Sequence, residues 1–161
     1  MYVSPRLQTT LDPGLIGFRS NRDIWKLDLT YQDYPDTAQR FEFSTMAYGC
    51  AKGLAESVEF LNDVGVENIE RHNLELGKMI RDELALLGAD VISPTKAAET
   101  TSIISAKFPN RDSKSIVHQL NDANVVISPR RDFFRLSPHL YNTENDVDVA
   151  LTQIKKIIQN S

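Results

Sequence analysis

The stretch Phe134-Arg-Leu-Ser-Pro-His-Leu-Tyr-Asn-Thr143, followed by Glu-Asn-Asp146, reads as a strand, a turn and the start of a helix. Strand alternation places Phe134 and Leu136 on one face and Arg135 on the other. Thr143 and Asp146 have the spacing of a capping box, although Asp is a weaker partner than Glu in this motif. Apolar residues then recur at helical spacing, at Val147, Leu151, Ile154 and Ile158. The stretch therefore predicts an arginine within an apolar strand, followed by an amphipathic helix.

The pattern on the N-terminal side predicts three more helices and three more strands. Two helices are expected from Ser44 to Gly65 and over 66–87, with Ser44 or Thr45 as the first N-cap, and a third begins near Asp112. Beyond residue 44, short apolar runs predict four strands, at residues 91–92, 102–108, 125–128 and 133–137. The order of elements predicts an α+β fold, in which helices pack on a small sheet.

The first forty residues look different from the rest of the chain. Residues 1–5 are predicted as a strand that ends at a proline, and turn residues such as Asp12-Pro-Gly14 and Tyr34-Pro-Asp36 follow. A structureless segment of this length is unusual within a compact domain. We interpret it as a functional loop, or as a piece whose packing partner lies elsewhere.

The composition excludes several classes of protein. The chain has 161 residues, 41% hydrophobic and 25% charged, which suits one globular domain and disfavours disorder. A net charge of -4 disfavours non-specific binding to nucleic acid or to an anionic membrane surface. No spanning segment or secretory signal is recognised, so we expect a cytoplasmic protein. The single Cys50 is predicted to be buried and inert, and no metal site is expected because the histidines are scattered (His72, His118 and His139).

Two places could carry chemistry. The run Arg40-Phe-Glu-Phe-Ser-Thr45 leads into a helix, where a hydroxyl and free N–H groups could bind an anion, although simple capping explains the same residues. Arg135 offers a planar fork that suits a carboxylate, and a surface strand charge or a structural ion pair is an equally open reading. The residues alone leave both alternatives open.

Taken together, these segments resemble the class V aminotransferases, which are fold-type-I pyridoxal-phosphate enzymes. That family includes cysteine desulfurases, selenocysteine lyases, kynureninases and isopenicillin-N-epimerase-like proteins. The run from Arg135 through Tyr141-Asn-Thr143 to Asp146 resembles the end of these enzymes. Arg40–Thr45 resembles their stretch ending in Gly-Thr, and residues 1–6 resemble the segment just beyond their catalytic lysine. The resemblance covers the whole chain in the right order.

The resemblance implies a division of the chain and a set of roles. Residues 1–43 would be the end of the large domain and a connecting loop, and residues 44–161 the small C-terminal domain, beginning with a long linker helix. Arg135 would bind the carboxylate of an amino-acid substrate. Thr45, with Ser44, would bind the cofactor phosphate of the neighbouring subunit in a homodimer. The Schiff-base lysine would precede Met1, so we expect this chain alone to be inactive and to bind no pyridoxal phosphate.

Two departures from the family pattern narrow the expected reaction. No cysteine lies between Ser128 and Phe134, where a cysteine desulfurase carries its catalytic cysteine, so transamination, epimerisation or lyase chemistry is favoured. Ser44 stands where the family often has glycine. The alternative hypothesis is a free-standing, non-catalytic α+β module that binds a small molecule or a partner.

Overall fold

The computed structural model describes residues 2–28, 30–96 and 99–159. The chain divides into two compact units, Met1–Glu59 and Phe60–Ser161. The domain boundary predicted between residues 43 and 44 stays a prediction.

The described residues form five α-helices and four strands, along with two 3₁₀ turns at Phe18–Ser20 and Ala38–Phe41. The helices are α1 (Pro5–Gln8), α2 (Tyr48–Val64), α3 (Val66–Leu86), α4 (Ser113–Asp122) and α5 (Glu144–Gln159). The strands are β1 (Asp90–Val91), β2 (Ile104–Lys107), β3 (Ser128–Arg130) and β4 (Phe133–Leu136). The predicted order of elements after residue 44 is confirmed, and the fold is α+β.

The second unit is built around an antiparallel sheet in the order β1-β2-β4-β3. Alternate residues of the two central strands point into the core, and α3, α4 and α5 contribute the rest of it. The buried core residues of these strands and helices include Ile104, Ala106, Phe134, Leu136, Leu76, Ile80, Leu84, Ile116, Leu120, Val147 and Ile154. The inward faces predicted for β4 and α5 are therefore confirmed at Phe134, Leu136, Val147, Leu151 and Ile154.

Two of the strands predicted from the sequence differ in the structure. The strand predicted over residues 1–5 is wrong, because Pro5 opens the short helix α1, where a missing N–H costs nothing. The strand predicted over 125–128 is displaced to β3, at Ser128–Arg130. The cause is the end of α4: Asn124 has φ 60°, and the Val125 N–H donates to Leu120 O at 2.8 Å, so Val125 closes the helix.

The first unit is more ordered than its turn-rich sequence suggested. Arg19 donates to Glu42 at 2.9 Å, and Arg22 pairs with Asp33 at 3.2 Å. Buried Arg40 donates to Gln8 O at 2.8 Å. These long-range contacts hold the loop segments together, and local turn patterns do not reveal them.

Helix α2 differs from its prediction in its start and in its burial. It begins at Tyr48 rather than at Ser44, and none of its residues is buried. Cys50 is exposed, so the prediction of a buried thiol is wrong. The apolar stripe remains exposed at Leu54, Val58 and Leu61. A periodic pattern identifies the apolar face of a helix, but it does not say what covers that face.

The capping box that opens α5 gives a pH prediction. The Thr143 N–H and hydroxyl donate to Asp146 Oδ2 at 2.7 and 3.1 Å, and the Asp146 N–H donates to Thr143 Oγ1 at 3.3 Å. The Thr143 N–H and hydroxyl lower the pKa of Asp146 below its ordinary value. A lowered pKa stabilises the fold above the carboxyl's unfolded pKa, and that contribution is lost as the pH falls through the folded value, below about pH 4.

The measurement is thermal unfolding of the chain between pH 6 and 2.5. Asp146→Asn should lower stability at pH 6 and flatten part of the acid dependence, because the amide cannot ionise. Asp148→Asn, on the same helix but outside the box, is the matched control and should keep the wild-type profile. An unchanged acid dependence in Asp146→Asn would contradict the prediction.

Candidate functional site

Arg135 lies in the middle of the sheet of the second unit. In the register of the strands it pairs with Ser105 of β2 on one side and Ser128 of β3 on the other. Its neighbours Phe134 and Leu136 are buried in the core, so alternation puts the Arg135 side chain on the opposite face. The predicted placement of the arginine is confirmed.

Arg135 is half-buried, and its guanidinium carries a donor that lacks a partner among the described residues. Its Nε is buried without a hydrogen-bond partner within the described ranges, and it forms no ion pair with a described residue. A buried donor that is left without a partner costs about 1–3 kcal/mol of folding free energy. The structural ion pair that the sequence left open is therefore absent among the described residues. The Arg135 side chain is available to an anionic ligand.

The turn after β4, up to Thr143, is held by hydrogen bonds. Asn142 accepts the His139 N–H at its side-chain Oδ1, 3.0 Å away, and its own N–H donates to His139 O at 2.9 Å. His72 of α3 reaches across to Asn142 O, at 2.8 Å from its Nε2. Sequence spacing could not indicate this role for His72, because the contact joins residues seventy positions apart.

A cavity of about 290 Å³ lies beside this turn but away from Arg135. Its walls include Ile80, Leu136, Pro138, Asn142 and Val147. Leu136 and Val147 belong to the core side of the sheet, whereas Arg135 lies on the other side. The cavity is therefore not the place where Arg135 would hold a ligand.

Ser44 and Thr45 lie in an exposed loop of the first unit, ahead of α2. Ala47 O accepts the Ala51 N–H at 3.0 Å, so neither Ser44 nor Thr45 caps the helix as the sequence suggested. In the described part of the chain, neither hydroxyl has a hydrogen-bond partner. Two free hydroxyls close to a helix N-terminus form a donor set that suits a phosphate.

The described residues contain neither a candidate metal site nor a candidate membrane span. Within residues 2–28, 30–96 and 99–159, no group of three His, Cys, Asp or Glu side chains could hold a metal ion. None of the described helices is both long and apolar enough to cross a membrane.

The described residues thus combine an α+β architecture with an arginine in a central strand, ahead of a capped C-terminal helix. The sequence model of the family "Aminotransferase class-V" matches residues 1–149. The chain therefore belongs to the class V aminotransferase family.

Relatives and solved structures agree with this assignment. An uncharacterized aminotransferase of Schizosaccharomyces pombe, C777.03c, is 36% identical over 99% of this chain and 41% of its own length. A probable cysteine desulfurase of Ureaplasma parvum is 28% identical over 96% of the chain and 40% of its own length. The apo cysteine desulfurase of Thermococcus onnurineus superposes with a TM-score of 0.88 at 21% identity, over 99% of this chain and 42% of that structure. The chain thus spans about two fifths of the length of these proteins.

Proposed function

We propose that this chain is the C-terminal part of a pyridoxal-phosphate enzyme that acts on an amino acid by transamination, epimerisation or lyase chemistry. The observation that carries the proposal is the guanidinium of Arg135, which is held by a central strand and has no ion-pair partner among the described residues. Pyridoxal phosphate, when bound to the intact enzyme, supplies the electron sink for this chemistry. This chain supplies orientation and binding.

Arg135 would bind the α-carboxylate of the substrate. A guanidinium donates two parallel N–H bonds to a carboxylate, which fixes both position and rotation of the ligand. Pairing with Ser105 and Ser128 in the sheet fixes the Arg135 backbone, so little freedom is lost on binding. The alternative, a free-standing module without catalysis, would assign no substrate carboxylate to this guanidinium.

Ser44 and Thr45 would hold the phosphate of the cofactor, and by family resemblance this would be the cofactor of a partner subunit. The support is chemical: both side chains are exposed hydroxyls without a described partner. This assignment requires a homodimer for a complete site. It also explains why this loop differs from an ordinary helix cap, whose hydroxyl would be turned toward its own helix.

The β3–β4 hairpin favours chemistry other than cysteine desulfuration. The register pairs Arg130 with Phe133, so only Arg131 and Asp132 form the turn. That turn contains no cysteine, and it leaves no loop that could carry one to a substrate. Cys50 lies on α2, in the first unit. A persulfide route on this hairpin is therefore disfavoured.

The isolated 161-residue chain should form no stoichiometric covalent adduct with pyridoxal phosphate. A lysine that binds the cofactor covalently is normally removed from water so that its amine is nucleophilic. None of the eight lysines is buried: Lys26, Lys52, Lys78, Lys96, Lys107, Lys114, Lys155 and Lys156.

The test is to mix the chain with pyridoxal phosphate, reduce with borohydride and map the modified peptides. Scattered, substoichiometric labelling is expected. One lysine labelled to full occupancy would contradict the prediction. The proposed function itself is tested in the full-length enzyme, by amino-acid-dependent changes in the visible absorbance of the bound cofactor. No spectral response to any of the common amino acids would count against it.

A further inference from the structure

A second arginine shares the face of the sheet that carries Arg135. In the antiparallel register, Ser105, Arg135 and Ser128 form one cross-strand row, and Phe133 pairs with Arg130 in the next. Directly paired residues point to the same face, so Arg130 and Arg135 are diagonal neighbours, with Cβ atoms about 7–8 Å apart. Arg130 is the last residue of β3, and it precedes the hairpin turn.

The charges on this face leave the two arginines unpaired. A third cation, Lys107, lies 3.7 Å from Asp132, and this carboxylate offsets its charge. Neither Arg130 nor Arg135 forms an ion pair with a described residue. The hydrogen bond of Arg130 is to its neighbour's carbonyl, Pro129 O, at 2.9 Å in an exposed position, and a ligand can replace it.

We infer that the substrate is an amino acid with a second carboxylate in its side chain, and that Arg130 binds that carboxylate. The inference rests on the proposed function, because it takes Arg135 as the ligand of the α-carboxylate. Two guanidinium groups on one face repel each other, and a dianion that spans them relieves the repulsion. Phe133 lies between them, beside Arg130 in its row and two residues from Arg135 along β4, and its ring offers an apolar surface to the methylene groups of the substrate.

The specificity would arise because a competing amino acid with a side-chain amide lacks the second negative charge. A side-chain amide has the shape of the acid but leaves Arg130 without its ionic partner. The acid should therefore be preferred over its amide by about tenfold or more in kcat/KM, the scale of one charged hydrogen bond. Arg130 is thus a specificity-determining residue, and it takes no part in the bond-breaking steps.

The experiment compares L-glutamate with L-glutamine, and L-aspartate with L-asparagine, in the full-length enzyme. The wild type should prefer the acid of at least one pair. Arg130→Gln should bring that ratio close to one, whereas Arg131→Gln should keep it. Arg131→Gln is the matched control, because this substitution removes the same charge from the adjacent turn position, outside the paired residues of β3 and β4.

The results separate this inference from the proposed function. If Arg135→Gln reduces activity on acid and amide alike but Arg130→Gln leaves the ratio unchanged, the inference fails and the proposed function stands. If Arg135→Gln changes neither activity, the proposed function fails. An NMR titration of the 161-residue chain with L-glutamate provides a second readout. Shifts of the Arg130 and Arg135 side-chain N–H signals that L-glutamine reproduces only at Arg135 would support the inference, and equal shifts with both ligands would overturn it.

Discussion

Arg135→Lys in the full-length enzyme should lower kcat/KM for its best amino-acid substrate by about 30- to 150-fold. Lysine keeps the positive charge but loses the planar fork, so the two parallel bonds to a carboxylate cannot form. The loss of such a charged hydrogen bond corresponds to about 2–3 kcal/mol of transition-state stabilisation. The effect should be large because strand pairing with Ser105 and Ser128 holds the backbone of residue 135 in place. The backbone therefore cannot move to restore the carboxylate contacts that the lysine side chain loses.

The sharper readout of this variant is discrimination against the α-amide of the same substrate. The wild type should prefer the carboxylate strongly, and the Arg135→Lys enzyme should lose most of that preference. Arg131→Lys is the control, because Arg131 lies in the exposed hairpin turn. Equal discrimination by the wild type and the Arg135 variant would place the carboxylate site elsewhere.

Phe134→Ala should destabilise the chain by about 3–5 kcal/mol, the usual cost of truncating a buried phenylalanine. Phe134 is fully buried, and its ring stacks on that of Phe108 with the centroids 6.0 Å apart. It also lies next to Arg135, so a collapse of the core at this position would move the strand that carries the guanidinium. The variant should therefore lose stability and the geometry of the site together.

The measurement is urea unfolding of the 161-residue chain, followed by the far-ultraviolet helix signal. Phe133→Ala is the matched control on the neighbouring residue, which is only half-buried and lies on the other face. It should cost clearly less than Phe134→Ala. Similar costs for the two variants would mean that the sheet does not bury one face as described.

Sequence periodicity was sufficient to predict the elements whose structure depends only on residues close together in the chain. The α5 pattern and its Thr143–Asp146 capping box are local, so sequence spacing predicted both. The alternation around Arg135 was equally local, because side chains of a strand must point to opposite faces. The candidate site residues Ser44, Thr45 and Arg135 could be named for the same reason: each belongs to a short motif.

Contacts between distant residues could not be predicted in this way. The bond from His72 to Asn142, the pairing of Arg130 with Phe133, and the use of Val125 to close α4 each depend on partners that sequence spacing does not specify. The exposure of Cys50 belongs to the same group. A helical pattern fixes which side of α2 is apolar, but burial depends on what else packs there.

The sequence by itself thus determined the α+β class, the core residues of the sheet and the presence of an arginine on the face opposite that core. Hydrophobic periodicity and capping act over a few residues, which is why they are legible in a single chain. Only the tertiary structure decided that this arginine has no described ion-pair partner and that Arg130 lies diagonally beside it. Strand register and charge pairing join residues from separate elements, and their free energy exists only once those elements meet.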